Sequence, residues 1–177
     1  MIISRTKVAL AGAGLAVVGG VTALSLTHPA GADAAPRQAA PAITRQAPVL
    51  TVDAATRAAQ AALDAAEKDG QHVTVTVVDR AGRTKVVLAG DGAGPQTASS
   101  SQEKAYTAVS FNAPTSDLAK RVTGPGATLR DMDGTLFLAG GVPVTVQGSP
   151  VAGIGVGGAP DGAMDESYAN AGLAALR

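Results

Sequence analysis

A helix whose apolar face is nearly all alanine, followed at once by an alternating β-branched strand, constrains the fold more than any other feature. Within residues 51–69 the apolar positions recur at steps of three and four, among them Ala55, Ala59 and Ala62. This spacing predicts one apolar helix face, and small side chains let that face approach a sheet closely. Residues 72–78, HVTVTVV, alternate with period two and predict the strand on which the helix packs.

The later segments predict a second strand, three more helices and a closing set of strands. Asp79-Arg80-Ala81-Gly82 predicts the turn of a hairpin. Ser100-Ser101-Gln102-Glu103 has the spacing of a capping box and predicts the start of a helix. The predicted strands are 84–88, 136–138, 142–146 and 151–156, and the predicted helices are about 101–111, 115–122 and 165–176. Grouped strands and grouped helices, without strict alternation, predict an α+β fold with a single antiparallel sheet and helices packed on it.

The N-terminal third differs from the rest and predicts an exported protein. Two basic residues precede a long apolar run, and small residues follow it near Ala32 and Ala34, so residues 1–34 have the pattern of a secretory signal. No Arg-Arg pair is present, which favours the Sec route. An uncleaved membrane anchor is the alternative. Proline-rich residues 35–49 predict a flexible tether, and residues 50–177 the folded domain.

Composition excludes several kinds of chemistry. The chain has no cysteine, which excludes disulfides, thiolate nucleophiles and iron–sulfur ligation. Its 14 basic and 14 acidic residues cancel, and only 2% of residues are aromatic, so we expect no nucleic-acid partner. A small domain with few large side chains buries little surface, which predicts a homo-oligomer.

The residues that remain offer weak candidates for a site. On the helix near residue 104, Lys104, Thr107 and Phe111 align at steps of three and four. A cation, a hydroxyl and an aromatic ring on one face suit a haem propionate, its iron and its macrocycle, although from composition alone an ordinary half-buried helix is the preferred explanation. Asp64 and Glu67, one helical turn apart, are candidate metal ligands or simply solvated carboxylates.

Two further motifs have simpler explanations. Residues 153–158, GIGVGG, resemble a dinucleotide loop, but no strand–turn–helix context surrounds them, so we interpret them as closely packed strand glycines. Asp161, Asp165 and Glu166 precede or open the last predicted helix, where helix capping accounts for acidic residues.

Several ordered motifs resemble the GlcG/HbpS family of haem-binding proteins over about residues 50–175. The resemblance depends on Val77-Val78-Asp79 with Gly82, Asp91-Gly92-Ala93, Lys104-Ala105-Tyr106-Thr107-Ala108 with Phe111, residues 137–143, residues 153–158 followed by Asp165-Glu166, and Ala171-Gly172. It implies a sandwich-like, profilin- or PAS-like version of the α+β fold. The predicted export signal favours the extracellular branch of the family.

The resemblance also implies function. It implies haem b as cofactor, iron binding, an octamer, haem- or redox-stress signalling to a membrane sensor histidine kinase, and haem-degrading activity whose enzymatic nature stays open. It associates haem contact with a threonine, for which Thr107 is the first choice and Thr97 the second, with Lys104 and Phe111 beside it. Iron released by haem breakdown has the carboxylate pair Asp64 and Glu67, singled out above by its helical spacing, as its candidate site. The competing hypothesis is a scaffold for a sensor kinase with incidental haem binding.

Overall fold

The structure, a computed structural model, describes Thr44 and residues 46–123 and 129–177. Its helices and strands, in chain order, are α1 Val52–Lys68, β1 Thr74–Asp79, β2 Thr84–Ala89, α2 Gln96–Phe111, α3 Thr115–Arg121, β3 Gly141–Val146, β4 Ser149–Gly157 and α4 Gly162–Ala174. The predicted signal segment 1–34, most of the predicted tether and the glycine-proline loop at 124–126 lie outside the described residues. None of the helices in the described ranges has the length and hydropathy needed to cross a bilayer.

The four strands form one antiparallel sheet in the order β2-β1-β4-β3. Central strand β1 pairs with β2 on one side and with β4 on the other, so that Val75 lies opposite both Leu88 and Val156. This confirms the predicted α+β class with a single antiparallel sheet. Helices cover both faces, since α1 and α4 pack on one and α2 on the other.

The α1 and α4 face is the apolar core that the alanine pattern predicts. Buried alanines of α1 lie against the odd-numbered valines of β1 and against Ile154 and Val156 of β4. Thr51 caps α1, because its hydroxyl accepts the Ala54 amide at 3.2 Å. Gly70, with φ of +69°, follows the helix in the left-handed conformation that suits glycine.

On the opposite face, α2 touches β4 through backbone atoms. A Cβ at Gly153 would lie 2.1 Å from the Ala105 carbonyl oxygen, and a Cβ at Gly155 would lie 2.0 Å from that of Ser101. Real side chains never approach so closely, so only glycine allows this helix to sit here. The interpretation of residues 153–158 as close-packed strand glycines is confirmed.

Helix α2 begins at Gln96, so the predicted start near residue 101 is wrong. The serines of the apparent capping box lie inside the helix. Their hydroxyls bond backward, with Ser100 donating to the Thr97 carbonyl at 3.2 Å and Ser101 to that of Ala98 at 3.0 Å. Serine hydroxyls can bond to backbone carbonyls inside a helix, and they can also cap the N-terminus of a helix. The sequence pattern is the same in both cases, which is why it predicts the start of α2 five residues too late.

The predicted strand at residues 136–138 is also wrong, because this segment lies across α2 instead of pairing in the sheet. Phe137 is buried against Leu118 and Val122, and its ring centroid lies 5.8 Å from that of Phe111. Regular pairing starts only at Gly141. The segment 135–140, which we call the cover segment, therefore contributes apolar side chains to a helical cluster.

Candidate functional site

The cover segment lies over the α2 face that carries two of the predicted haem contacts, Lys104 and Thr107. The Thr107 side chain is fully buried. Its hydroxyl donates to the Glu103 carbonyl at 2.7 Å and accepts the Leu136 amide at 2.8 Å. Both hydrogen-bonding roles of the hydroxyl are thus filled by the protein.

Lys104 is held in a buried ion pair. Its Nζ lies 2.7 Å from Oδ2 of Asp165 and donates to the Val156 carbonyl at 3.0 Å, and the two charged side chains are only 5% and 4% exposed. Burial raises the pKa of Asp165, while the neighbouring ammonium acts in the opposite direction. Gly140 leaves the space for this pair, because a Cβ there would lie 2.8 Å from Nζ.

The other two predicted contacts lie elsewhere on α2. Thr97 is buried toward the sheet, where its Oγ1 lies 2.7 Å from that of Thr74 and donates to the Gly94 carbonyl. Phe111 ends the helix and lies half-buried beside Phe137. The structure therefore brings Lys104 and Thr107 together under the cover segment, with Phe111 at its edge and Thr97 facing the sheet.

The predicted metal ligands Asp64 and Glu67 are both exposed on α1. Asp64 accepts a hydrogen bond from the Gln60 side chain at 2.7 Å. Glu67 borders a cavity of about 270 Å³ together with His72 and Asp91. Within the described ranges, no three His, Cys, Asp or Glu side chains are grouped closely enough to hold a metal ion together.

Sequence reasoning missed the roles of two acidic residues in α4. Only Asp161 acts as a cap, accepting the Ala163 amide at 2.9 Å. Asp165 pairs with Lys104, and Glu166 accepts both the amide and the hydroxyl of Ser116. A signal for the first of these was present, since Asp165 shares the buried α4 face with residues three, four and seven positions later.

Besides a cavity of about 350 Å³ lined by Gly82, Ser99, Gln102, Glu103, Tyr106 and Gly134, two further cavities have a size that suits a small ligand. One, of about 480 Å³, lies beside the buried ion pair and is lined by Lys104, Asp165, Asp161 and the apolar Leu136 and Leu138, among others. The other, of about 280 Å³, lies between the segment before α1, strand β3 and the end of α4. No His, Cys, Met or Tyr side chain lines these two cavities, so neither offers a common axial ligand for haem iron, whereas Tyr106 lines the cavity of about 350 Å³.

The family follows from a sequence comparison that covers the whole folded domain. Residues 50–174 match the family model described as haem degrading protein HbpS-like. The chain belongs to the HbpS-like family. This confirms the family resemblance predicted from the motifs.

Solved structures of similar chains support the same assignment. A double mutant of HbpS from Streptomyces reticuli, in which two glutamates three residues apart are replaced by aspartate, is 61% identical, with a TM-score of 0.75, covering 81% of this chain and 98% of that one. Klebsiella pneumoniae protein ORFY is 25% identical, with a TM-score of 0.71, covering 78% and 97%. A PduOC:heme complex is 25% identical, with a TM-score of 0.66, covering 73% and 96%. Comparison with curated protein sequences gives no match.

Proposed function

We propose that this HbpS-like protein binds haem and takes part in its breakdown. The observation that carries the proposal is the family match over residues 50–174, whose family is described as haem degrading. The similarity to a haem complex of PduOC over 73% of the chain adds support. Bound haem would supply the redox-active iron, and the protein would supply a site that holds and shields the macrocycle.

The α2 face does not fit haem in the conformation described. The Thr107 side chain is fully buried, with its hydroxyl proton donated to the Glu103 carbonyl, and the charge of Lys104 is already balanced by Asp165. Haem contact by Lys104, Thr107 and Phe111 requires the cover segment to leave this face. The assignment of haem contacts to these residues stays a prediction, and it requires that the cover segment moves away.

A hemin titration tests both the function and the threonine assignment. We expect the purified domain to give a saturable, shifted Soret band relative to hemin alone. If Thr107 reaches the iron, Thr107→Val abolishes the shift, whereas Thr135→Val, a matched change in the cover segment, leaves it intact. An unchanged Thr107→Val spectrum rules out the ligand assignment. A parent spectrum identical to the hemin blank rules out haem binding.

We also propose that iron is bound at Asp64 and Glu67. These residues are the one acidic pair in the whole sequence spaced three apart, the spacing of the two glutamates replaced in the HbpS double mutant. Both side chains are exposed on one helix, so an ion can reach them from solvent. Ferrous iron binding should fall in Asp64→Asn/Glu67→Gln and persist in Asp53→Asn, an exposed carboxylate on the same helix; equal binding in both excludes the pair.

Export, assembly and signalling extend the proposal. The exposed apolar side chains Val87, Val146 and Leu138 support packing between copies, and an octamer is the assembly we propose. Light scattering of the purified protein measures the number of subunits directly. A sensor histidine kinase is the proposed partner; capture of the kinase that does not change on adding haem favours the competing scaffold hypothesis.

A further inference from the structure

The cavity of about 280 Å³ is an apolar groove with two arginines on its lining. It lies between the segment before α1, strand β3 and the end of α4, and its polar lining residues are Arg57, Arg177 and Thr145. We call it the arginine groove. Val49, one of its apolar residues, is 74% exposed, so part of the lining is open to water. A partner that covers this lining would remove apolar surface from water, which is favourable in proportion to the area covered.

One wall of the arginine groove is a free edge of the sheet. Strand β3 pairs only with β4, and its residues 143–146 line the groove. The Gly141 amide points away from β4, since it donates to the Thr115 hydroxyl at 2.9 Å. Backbone groups point to alternate sides along a strand, so those of Pro143 and Thr145 also point away from β4. Within the described ranges no residue beyond that edge bonds to the Thr145 backbone, so its N–H and C=O can pair with an added strand.

Both arginines are available to carboxylates. Arg57 and Arg177 are exposed, and within the described ranges neither forms an ion pair. The cavity of about 480 Å³ differs, because there Asp165 balances the charge of Lys104 and Asp161 adds a further carboxylate. A negatively charged partner is therefore attracted by the arginine groove and not by the larger cavity.

Segments of this chain do not supply the complementary charge. The predicted tether, residues 35–49, contains Arg37 and Arg45 but neither aspartate nor glutamate. The free sheet edges of a second copy, β2 and β3, bring Lys85 and no carboxylate. Neither the tether nor a sheet edge would pair with the two arginines of the groove. The charge therefore favours a different chain that carries acidic side chains.

The apolar lining, the free strand edge and the unpaired arginines describe one kind of partner. We infer that the arginine groove binds an extended peptide, which adds a strand to the β3 edge and places acidic side chains at Arg57 and Arg177. Main-chain hydrogen bonds give affinity in this mode of binding, and the alternate side chains give specificity. Each guanidinium group suits an acidic side chain, because it pairs with a carboxylate through two parallel hydrogen bonds. The inference does not depend on the proposed haem function.

The experiment first selects peptides on the purified protein from a phage-displayed library of short random sequences. We expect the selected sequences to share apolar residues at every second position and at least one aspartate or glutamate. A synthetic peptide with the shared sequence is then titrated by fluorescence anisotropy against the parent and two variants.

The two variants separate the groove from the general charge of the surface. The groove variant is Arg57→Gln/Arg177→Gln. The control, Lys68→Gln/Arg121→Gln, removes two exposed cations that do not line the groove. Each exposed ion pair contributes up to roughly a fivefold change in affinity, so the groove variant should bind the peptide about 5- to 25-fold more weakly. The control should bind it as the parent does.

Methylation of single backbone amides in the peptide tests the pairing with β3. Every second amide of an added strand faces the edge that it joins, and the amides between them face away. Methylation at the facing positions removes a hydrogen bond and should weaken binding about fivefold or more. Methylation at the positions between them should change the affinity little.

Each remaining outcome overturns the inference. It fails if the library yields no binding peptide, or if the selected peptide binds the groove variant as tightly as the parent. An equal response to methylation at successive positions shows that no strand is added. A synthetic peptide of residues 35–45 that displaces the selected peptide makes the tether the occupant. A subunit number that falls on adding the selected peptide, measured by light scattering, makes a second copy the occupant. The hemin titration is unaffected by any of these results, so the proposed function is tested separately.

Discussion

On the face of the sheet that carries α1 and α4, valine and isoleucine side chains pack against alanines, and the contacts are mainly apolar. On the face that carries α2, strand glycines touch helix backbone, buried hydroxyls bond across the layers, and a lysine is paired with an aspartate. The stabilisation from the first face comes from buried apolar surface that several side chains share. The stabilisation from the second face comes from contacts between individual atoms, so one substitution there should remove a larger part of the free energy of unfolding.

The largest effect should come from breaking the buried ion pair. Lys104→Met leaves Asp165 buried without its partner, and we expect a loss of about 3–5 kcal/mol in the free energy of unfolding. Urea unfolding measures it. Lys120→Met, which removes an exposed ion pair with Asp117, is the control and should cost about 0–1 kcal/mol.

A second variant keeps this test decisive if Lys104→Met does not fold. Lys104→Met/Asp165→Leu replaces both charges by apolar groups, so no unpaired charge remains buried, and it should recover most of the loss. Equal instability of the single and double variants would show that packing around Lys104, and not the charge, accounts for the effect.

The same variant should respond to pH with a defined sign. Burial raises the folded-state pKa of Asp165, and removing the opposing ammonium raises this pKa further. A carboxyl whose pKa is higher when folded keeps its contribution below the ordinary pKa of 3.8 and loses it as the pH rises through the folded value. The deficit of Lys104→Met relative to the parent should therefore be smallest near about pH 4 and grow toward neutrality. A deficit that is constant across this range contradicts the assignment.

Adjacent residues of β4 allow a direct comparison of the two faces. Gly155→Ala pushes a methyl group into the α2 backbone and should cost about 1–3 kcal/mol or more, because neither partner is a flexible side chain. Ile154→Val, one residue away on the apolar face, should cost about 0.5–1.5 kcal/mol. Thermal unfolding of both variants ranks them. The reverse order would mean that α2 shifts easily away from the sheet.

The last prediction concerns the buried hydroxyl pair of Thr76 and Ser101, whose oxygens lie 2.7 Å apart. Ser101 already donates to the Ala98 carbonyl, so Thr76 must be the donor within the pair. Ser101→Ala therefore leaves the buried Thr76 hydroxyl without an acceptor and should lower the free energy of unfolding by about 1–3 kcal/mol. Thr76→Val leaves no donor unpaired and should lower it by less. The double variant Thr76→Val/Ser101→Ala should have a free energy of unfolding close to that of the parent. Urea unfolding measures both losses, and equal losses for the two single variants would contradict this donor assignment.

The sequence predicts well those helices and strands whose apolar residues recur with a clear short-range period. The alanine spacing in residues 51–69 predicts α1 within one residue at each end, and the hairpin and the α+β class are confirmed. The structure disagrees where one local pattern fits two geometries. The serines near residue 101 fit a cap and a helix interior equally well, and the short apolar run at 136–138 fits both a strand and a segment packed on a helix.

At the candidate site, local sequence patterns predict even less, because the important contacts join distant parts of the chain. The helical spacing of Lys104 and Thr107 predicts that they share a face, and the structure places both under the cover segment. Whether that face is open depends on the cover segment, and the partner of Lys104 lies 61 residues later in the chain. The residue pattern within one helix cannot predict a contact with a residue so far away in the sequence.

The separation of Lys104 from Asp165 has a consequence for synthesis. While the nascent chain ends before residue 165, α2 has a lysine but no carboxylate to neutralise it, and the ammonium keeps its hydration shell instead of entering the interior. We therefore expect the α2 layer to close only after α4 has been made.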